Sequence, residues 1–198
     1  MNEFLKIEYE KCLDLLQYYD DRHQSFVKFA SGLSSGVPSL LLATYQLGHS
    51  DQFFWQFTVL ISIVTTLGLL SIYTVLVQLR LYFIYPVRQV NALRAYFLVN
   101  DAEEFSNNQM YLDTNFKAFK WASSHTLLNG FVALQIGAFT GLSVFAIAII
   151  NPITNCRVLL SASVGIVVAV LCFGLSGWYL HAKGKFHPDK SIHGKEVK

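Results

Sequence analysis

Apolar positions in this chain come in long blocks, and the blocks carry no charge. Residues 29–50, 52–79, 121–156 and 158–182 contain no Asp, Glu, Lys or Arg. A bilayer's hydrocarbon core is about 30 Å thick, and about 20 helical residues cross it at about 1.5 Å each. Each block meets that length, and the pattern predicts spans at 29–50, 53–85, 125–150 and 157–181. Aromatic residues mark the ends of these spans, as the amphipathic rings of Tyr and Trp favour the headgroup level. Phe53, Phe54 and Trp55 stand at one end of the second span and Tyr82, Phe83 and Tyr85 at its other end. Trp121 precedes the third span, and Trp178 with Tyr179 closes the fourth.

Between the blocks the period changes. Leu5, Tyr9, Cys12, Leu13, Leu16 and Tyr19 recur at helical spacing, with Lys6, Glu10, Asp14 and Gln17 falling elsewhere. Residues 1–28 therefore read as an amphipathic helix on the membrane surface or under the bundle. From 55 to 85 the only helix-weakening residue is Gly68, which costs about 1 kcal/mol relative to Ala. The second span is thus expected to project beyond the membrane. Pro86 is expected to kink or restart it, and Val90, Leu93 and Phe97 carry a second amphipathic piece up to Asn100-Asp101. Residues 102–110 read as a polar loop and 111–122 as a juxtamembrane helix, making 86–122 a mostly helical connection. The basic, Gly-broken stretch 182–198 reads as a flexible tail. The fold expected is all-α: an antiparallel four-transmembrane-helix bundle with an N-terminal amphipathic helix and a helical cytoplasmic connection.

Charge adds an orientation. Only 14% of residues are charged, against roughly 25% in soluble domains. Of the fifteen Lys and Arg residues, only Arg157 falls in one of the two short connections between spans. All the others share one side, which the positive-inside rule assigns to the cytoplasm. The expectation is an integral protein of the plasma (inner) membrane with both termini cytoplasmic. A basic groove for nucleic acid is missing from this pattern. The three cysteines, Cys12, Cys156 and Cys172, suggest neither a disulfide framework nor a metal site.

The chemistry is sparse. No span carries a carboxylate, Lys or Arg in its membrane interior, Arg80 falling where the second span extends into the cytoplasm, which argues against a proton-coupled carrier. No HExxH, GxSxG or P-loop spacing occurs, so neither an enzyme nor a cofactor is expected. Small residues at GxxxG-type spacing let helix backbones approach closely. They stand at Gly32 and Gly36, at Gly137 and Gly141, and at Gly165 and Ala169. Packing within one bundle and packing between subunits both use such faces. Thr58, Ser62, Thr65, Thr66 and Tyr73 lie near one face of the second span, as a packed seam or a pore-lining stripe would. Gln135 sits two or three turns inside the third span, where its amide needs partners.

A polar collar is expected at the cytoplasmic mouth. Asp20, Asp21, Arg22 and His23 precede the first span, His125 opens the third and His181 ends the fourth. Topology brings the three histidines to one level, where they would snorkel to headgroups, sense pH, or hold a metal or anion. Arg88, Gln89, Asn91 and Arg94 form a second polar group beyond Pro86. For Arg88 the first expectation is an internal salt bridge to Asp20 or Asp21, ahead of lipid phosphate or a nucleotide-like ligand.

These features favour a non-enzymatic, self-assembling membrane component of pore or effector type, gated from the cytoplasmic side. Its partners would be membrane lipids and copies of itself. One alternative is a membrane anchor that recruits a cytoplasmic protein through residues 3–24 and 87–122. Another is a facilitative carrier of a small neutral solute, with Gln135 and Thr65 at the midplane.

Overall fold

The computed structural model describes residues 3–48, 50–100, 112–151 and 156–185. The loop expected at 102–110 and the tail beyond 185 lie outside the described residues. Four helices account for most of the rest: α1 (Glu3–Gln46), α2 (Asp51–Asn100), α3 (Ser124–Ile150) and α4 (Arg157–Lys183). All four are long and apolar enough to cross a membrane. The chain is an all-helical four-helix bundle and a candidate multi-pass membrane protein.

No helix break falls at the expected boundary near residue 28. α1 runs unbroken for 44 residues, so the amphipathic segment and the first span are one rod. Nothing near residue 28 interrupts backbone hydrogen bonding; only side-chain polarity changes there. Pro38 lies inside α1 and withholds one backbone donor from the carbonyl a turn earlier. α2 likewise continues through Pro86 to Asn100. Gly48, at a φ of +69°, ends the turn after α1, where a left-handed backbone favours glycine. Ser123 caps α3 by accepting a hydrogen bond from the Thr126 amide at 3.2 Å.

Each helix packs against its neighbours in sequence. Among the described residues α1 and α4 make no contact, which leaves the bundle open on one side. The core is built from Ala30, Leu69, Leu76, Ile84, Val132 and Ile136. The outer faces are equally apolar: Leu60 and Leu67 on α2 and Val158, Ile166 and Val170 on α4 are at least 60% exposed. A water-soluble protein hides such residues, whereas hydrocarbon accepts them.

The α3–α4 contact rests on the small residues. A Cβ added at Gly137 would stand 2.9 Å from that of Ala169, and one at Gly165 2.7 Å from the Gly137 carbonyl oxygen. Gly141 meets the Ser161 carbonyl oxygen at 2.9 Å in the same way. Gly32 and Gly36 differ, for an added Cβ at either meets nothing within 4 Å.

Residues 112–123 are not the helix expected for 111–122; they run through turns and irregular backbone. The physical reason is capture by α2. Asn91 Nδ2 donates to the Asp113 carbonyl at 2.8 Å, Arg88 Nε to that of Phe116 at 3.0 Å, and Arg80 Nε to that of Ala118 at 2.9 Å. These side-chain donors satisfy carbonyls that a helix would bond internally.

Candidate functional site

The polar residues buried most completely gather where α1, α2 and α3 meet, at the charge-rich end of the bundle. His23 on α1 and His125 at the start of α3 are both buried, and their rings stack 4.1 Å apart at 10°. Facing a carbonyl oxygen, His23 Nε2 donates to Asn129 Oδ1 at 2.9 Å. His125 Nε2 pairs with Asp20 Oδ1 at 2.7 Å. Phe83 on α2 meets the His125 ring edge-on at 4.8 Å. The Arg80 guanidinium lies 5.5 Å from the Phe83 ring centre and 5.7 Å from that of Phe116.

Three buried nitrogen atoms in this cluster have no protein partner: His23 Nδ1, His125 Nδ1 and Arg80 Nη2. Arg80 is only 2% exposed. Among the described residues no carboxylate pairs with Arg80.

The expected collar is thus divided. Asp20, His23 and His125 come together, while Asp21, Arg22 and His181 are exposed. Arg22 lies over the Tyr18 ring at 5.4 Å. The expected Arg88 salt bridge to Asp20 or Asp21 is replaced by bonds to backbone: besides Phe116, Arg88 donates through Nη2 to the Gly184 carbonyl at 2.5 Å. Asp20 is taken instead by His125. Arg94 Nε donates to Tyr9 Oη at 3.1 Å, tying the end of α2 to the start of α1. Gln89 is half-buried beside them.

Asn129 and Arg80 are the functional candidates that sequence reasoning did not single out. Asn129 follows His125 by four positions and so shares its helical face. Arg80 directly follows the uncharged stretch 52–79 and in the sequence is one of the fifteen Lys and Arg residues, with nothing local to set it apart. Its distance from solvent became visible only with the fold.

Deeper in the bundle, Thr58, Ser62 and Thr65 are buried and Thr66 half-buried. Thr58, Thr65 and Thr66 bond back to carbonyls of their own helix, at 2.7–2.8 Å. Ser62 Oγ has no partner. Tyr73 Oη meets Ser176 Oγ at 2.7 Å and links α2 to α4. Gln135 is half-buried, and its Oε1 has no protein partner. An open groove of about 370 Å³ between α2 and α4 is lined by Tyr73, Gln78, Cys172, Ser176 and Tyr179, with neither Gln135 nor Thr65 among its walls. Among the described residues no group of three His, Cys, Asp or Glu side chains is placed to hold a metal ion.

Compared with known proteins, the chain matches no family model, no curated protein and no solved structure.

The histidine pair has a pH consequence. His23, outside the uncharged stretches, is pushed down from its ordinary 6.5 to about 4, first by burial and then by the neighbouring His125. Folded His23 therefore stays neutral at pH values where the unfolded side chain takes a proton. The unfolded state binds more protons between about pH 6.5 and 4, so stability falls as pH drops through that window and is insensitive to His23 above it. Detergent-purified protein is expected to lose about 2 kcal/mol of unfolding free energy between pH 7 and 5. In denaturant titrations His23→Gln, which keeps a donor for Asn129, should flatten that dependence.

Proposed function

We propose that this chain is a non-enzymatic multi-pass membrane protein that assembles with copies of itself and acts as a pore-type or membrane-effector component governed from the cytoplasmic side. The observation that carries this reading is the continuity of α1 and α2. Each joins a charge-rich segment to an apolar span in one unbroken helix, of 44 and 50 residues. A rod of this kind transmits a tilt or rotation of its charged part directly into its span. The Asp20–His125 and His23–Asn129 bonds couple α1 to α3 near the junction, so the spans respond together. The lopsided Lys and Arg distribution supports a cytoplasmic position for this end.

Self-association is supported by the Gly32 and Gly36 face of α1, where an added Cβ at either position meets no atom of the described residues within 4 Å. Close helix–helix contact in lipid relies on such faces. Gly32→Leu with Gly36→Leu is expected to leave folding unchanged, since an added Cβ at either position meets no described atom within 4 Å, and to weaken assembly at least tenfold. Mass determination in detergent and dye efflux from proteoliposomes test both parts. Native protein should be larger than one chain and should release dye, and the double variant should do neither. A strictly monomeric native chain whose vesicles stay tight would sink the reading.

A second reading has its own observation. Phe4, Ile7 and Tyr18 on the charged segment of α1, and Tyr96 near the end of α2, are 46–67% exposed. Exposed apolar residues outside the spans suit recruitment of a soluble protein. Crosslinked pull-down would then recover one dominant soluble partner, lost with Phe4→Ser and Ile7→Ser.

A further inference from the structure

We propose that the buried guanidinium of Arg80, packed on Phe83, whose ring in turn meets His125, forms a binding site for a phosphate-type anion at the charged mouth of the bundle. Arg80 is 2% exposed, and its chain-supplied partners are one carbonyl oxygen, on Ala118, and two aromatic faces. These orient the guanidinium but bring no negative charge. A buried cation without a counter-charge is costly, and a buried donor without an acceptor adds to the cost. Arg80 Nη2 is such a donor. The nearest carboxylate of the cluster, Asp20, is already bonded to His125.

The two imidazoles complete the site. Each spends Nε2 on a protein acceptor and keeps a buried Nδ1 without a partner. The Arg80 charge acts on both rings. An anionic oxygen beside Arg80 would accept from Nη2 and reverse the local field. Protonation of either ring then turns its Nδ1 into a second donor. Arg80 Nη2 with one such Nδ1, or with both once both rings are protonated, suits the several acceptor oxygens of a phosphate better than the single charge of a halide. The groups that bear on the pair are Asp20 and His23 on α1, Arg80 on α2, and His125 with Asn129 on α3.

Access is compatible with this assignment. The cover over Arg80 is the irregular stretch that carries Phe116 and Ala118. It has no helical hydrogen bonds to break when an anion enters. Arg80 also stands at the end of an uncharged stretch, the level at which lipid phosphates lie. The shared chemistry is an oxyanion of phosphorus, either free or on a lipid headgroup.

The test reads binding, not flux, so it is separate from the assembly reading. Thermal unfolding of the full chain would be followed in sodium phosphate and in sodium chloride of equal ionic strength. It would also be followed in nanodiscs of phosphatidylcholine alone and with phosphatidic acid added. At a hundred-fold excess over Kd the midpoint should rise by about 5 °C. A rise in free phosphate identifies the soluble anion, and a rise only with phosphatidic acid identifies the headgroup. Arg80→Gln should lose the rise, while Lys117→Gln, an exposed cation of the same connection, should keep it. Should Arg80→Gln fail to fold, Arg80→Lys keeps the charge without the planar fork and should bind at least tenfold more weakly. Equal midpoints for the native chain in all four conditions would overturn the proposal, as would a full rise in the Arg80 variants.

Discussion

Gly137→Leu is expected to abolish the folded bundle, whereas Gly32→Leu leaves it intact. At Gly137 the first added carbon already stands 2.9 Å from the Ala169 Cβ and closer still to the Gly165 carbonyl. Backbone cannot swing aside as a side-chain tip does, so α3 and α4 must separate along their whole contact. Overpacking of a tight core costs about 1–3 kcal/mol where side chains give way, and more where backbone must move. That is a large share of the stability of a chain this size. Even Gly137→Ala should cost about 2 kcal/mol. At Gly32 the first added carbon meets no described atom within 4 Å. Yield of monodisperse protein and the unfolding midpoint in detergent measure the contrast. Equal behaviour of the two leucine variants would show that the α3–α4 contact is not as drawn.

Arg88→Met should detach the connection between α2 and α3 while the spans stay folded. Arg88 holds the Phe116 and Gly184 carbonyls, 28 and 96 positions away in the chain. Charge-assisted bonds of this kind contribute about 1.5–3 kcal/mol each when a partner is removed. The loss falls on a stretch without helical hydrogen bonds, so it appears as local opening. Hydrogen exchange in residues 112–123 and at Gly184 should accelerate by about a hundredfold, with exchange in α3 unchanged. Uniform acceleration across all helices would mean that Arg88 stabilises the whole bundle instead.

How much of this was legible beforehand follows from which interactions are local. The spans were plain, because hydrocarbon excludes charge and the uncharged blocks state that directly. The continuity of α1 was hidden by the same rule: the change at Lys28-Phe29 marks a new environment, not an interruption of the backbone. Residues 111–122 carry a reasonable helical pattern, yet Asn91, Arg88 and Arg80 claim their carbonyls from 22 to 38 positions away. No local period encodes such capture. Topology sets His23, His125 and His181 on one level, but level alone does not tell which of them meet: His23 and His125 stack, and His181 is exposed. Gly32 and Gly137 stand in identical GxxxG spacing, and only the packed helices reveal that one face is used within the chain and the other is not.

The central claim is a chain that threads a membrane with its charged end on the cytoplasmic side and its short hairpin turns outside. The natural thiols give the most direct test. Cys156 is exposed in the turn before α4, while Cys12 and Cys172 are removed by Cys12→Ser and Cys172→Ser. In intact cells a membrane-impermeant maleimide should label Cys156. After Cys156→Ser, a probe introduced as Lys117→Cys should react only when the membrane is opened. Labelling of position 117 from outside, or recovery of the whole chain from the soluble fraction without detergent, would contradict the account.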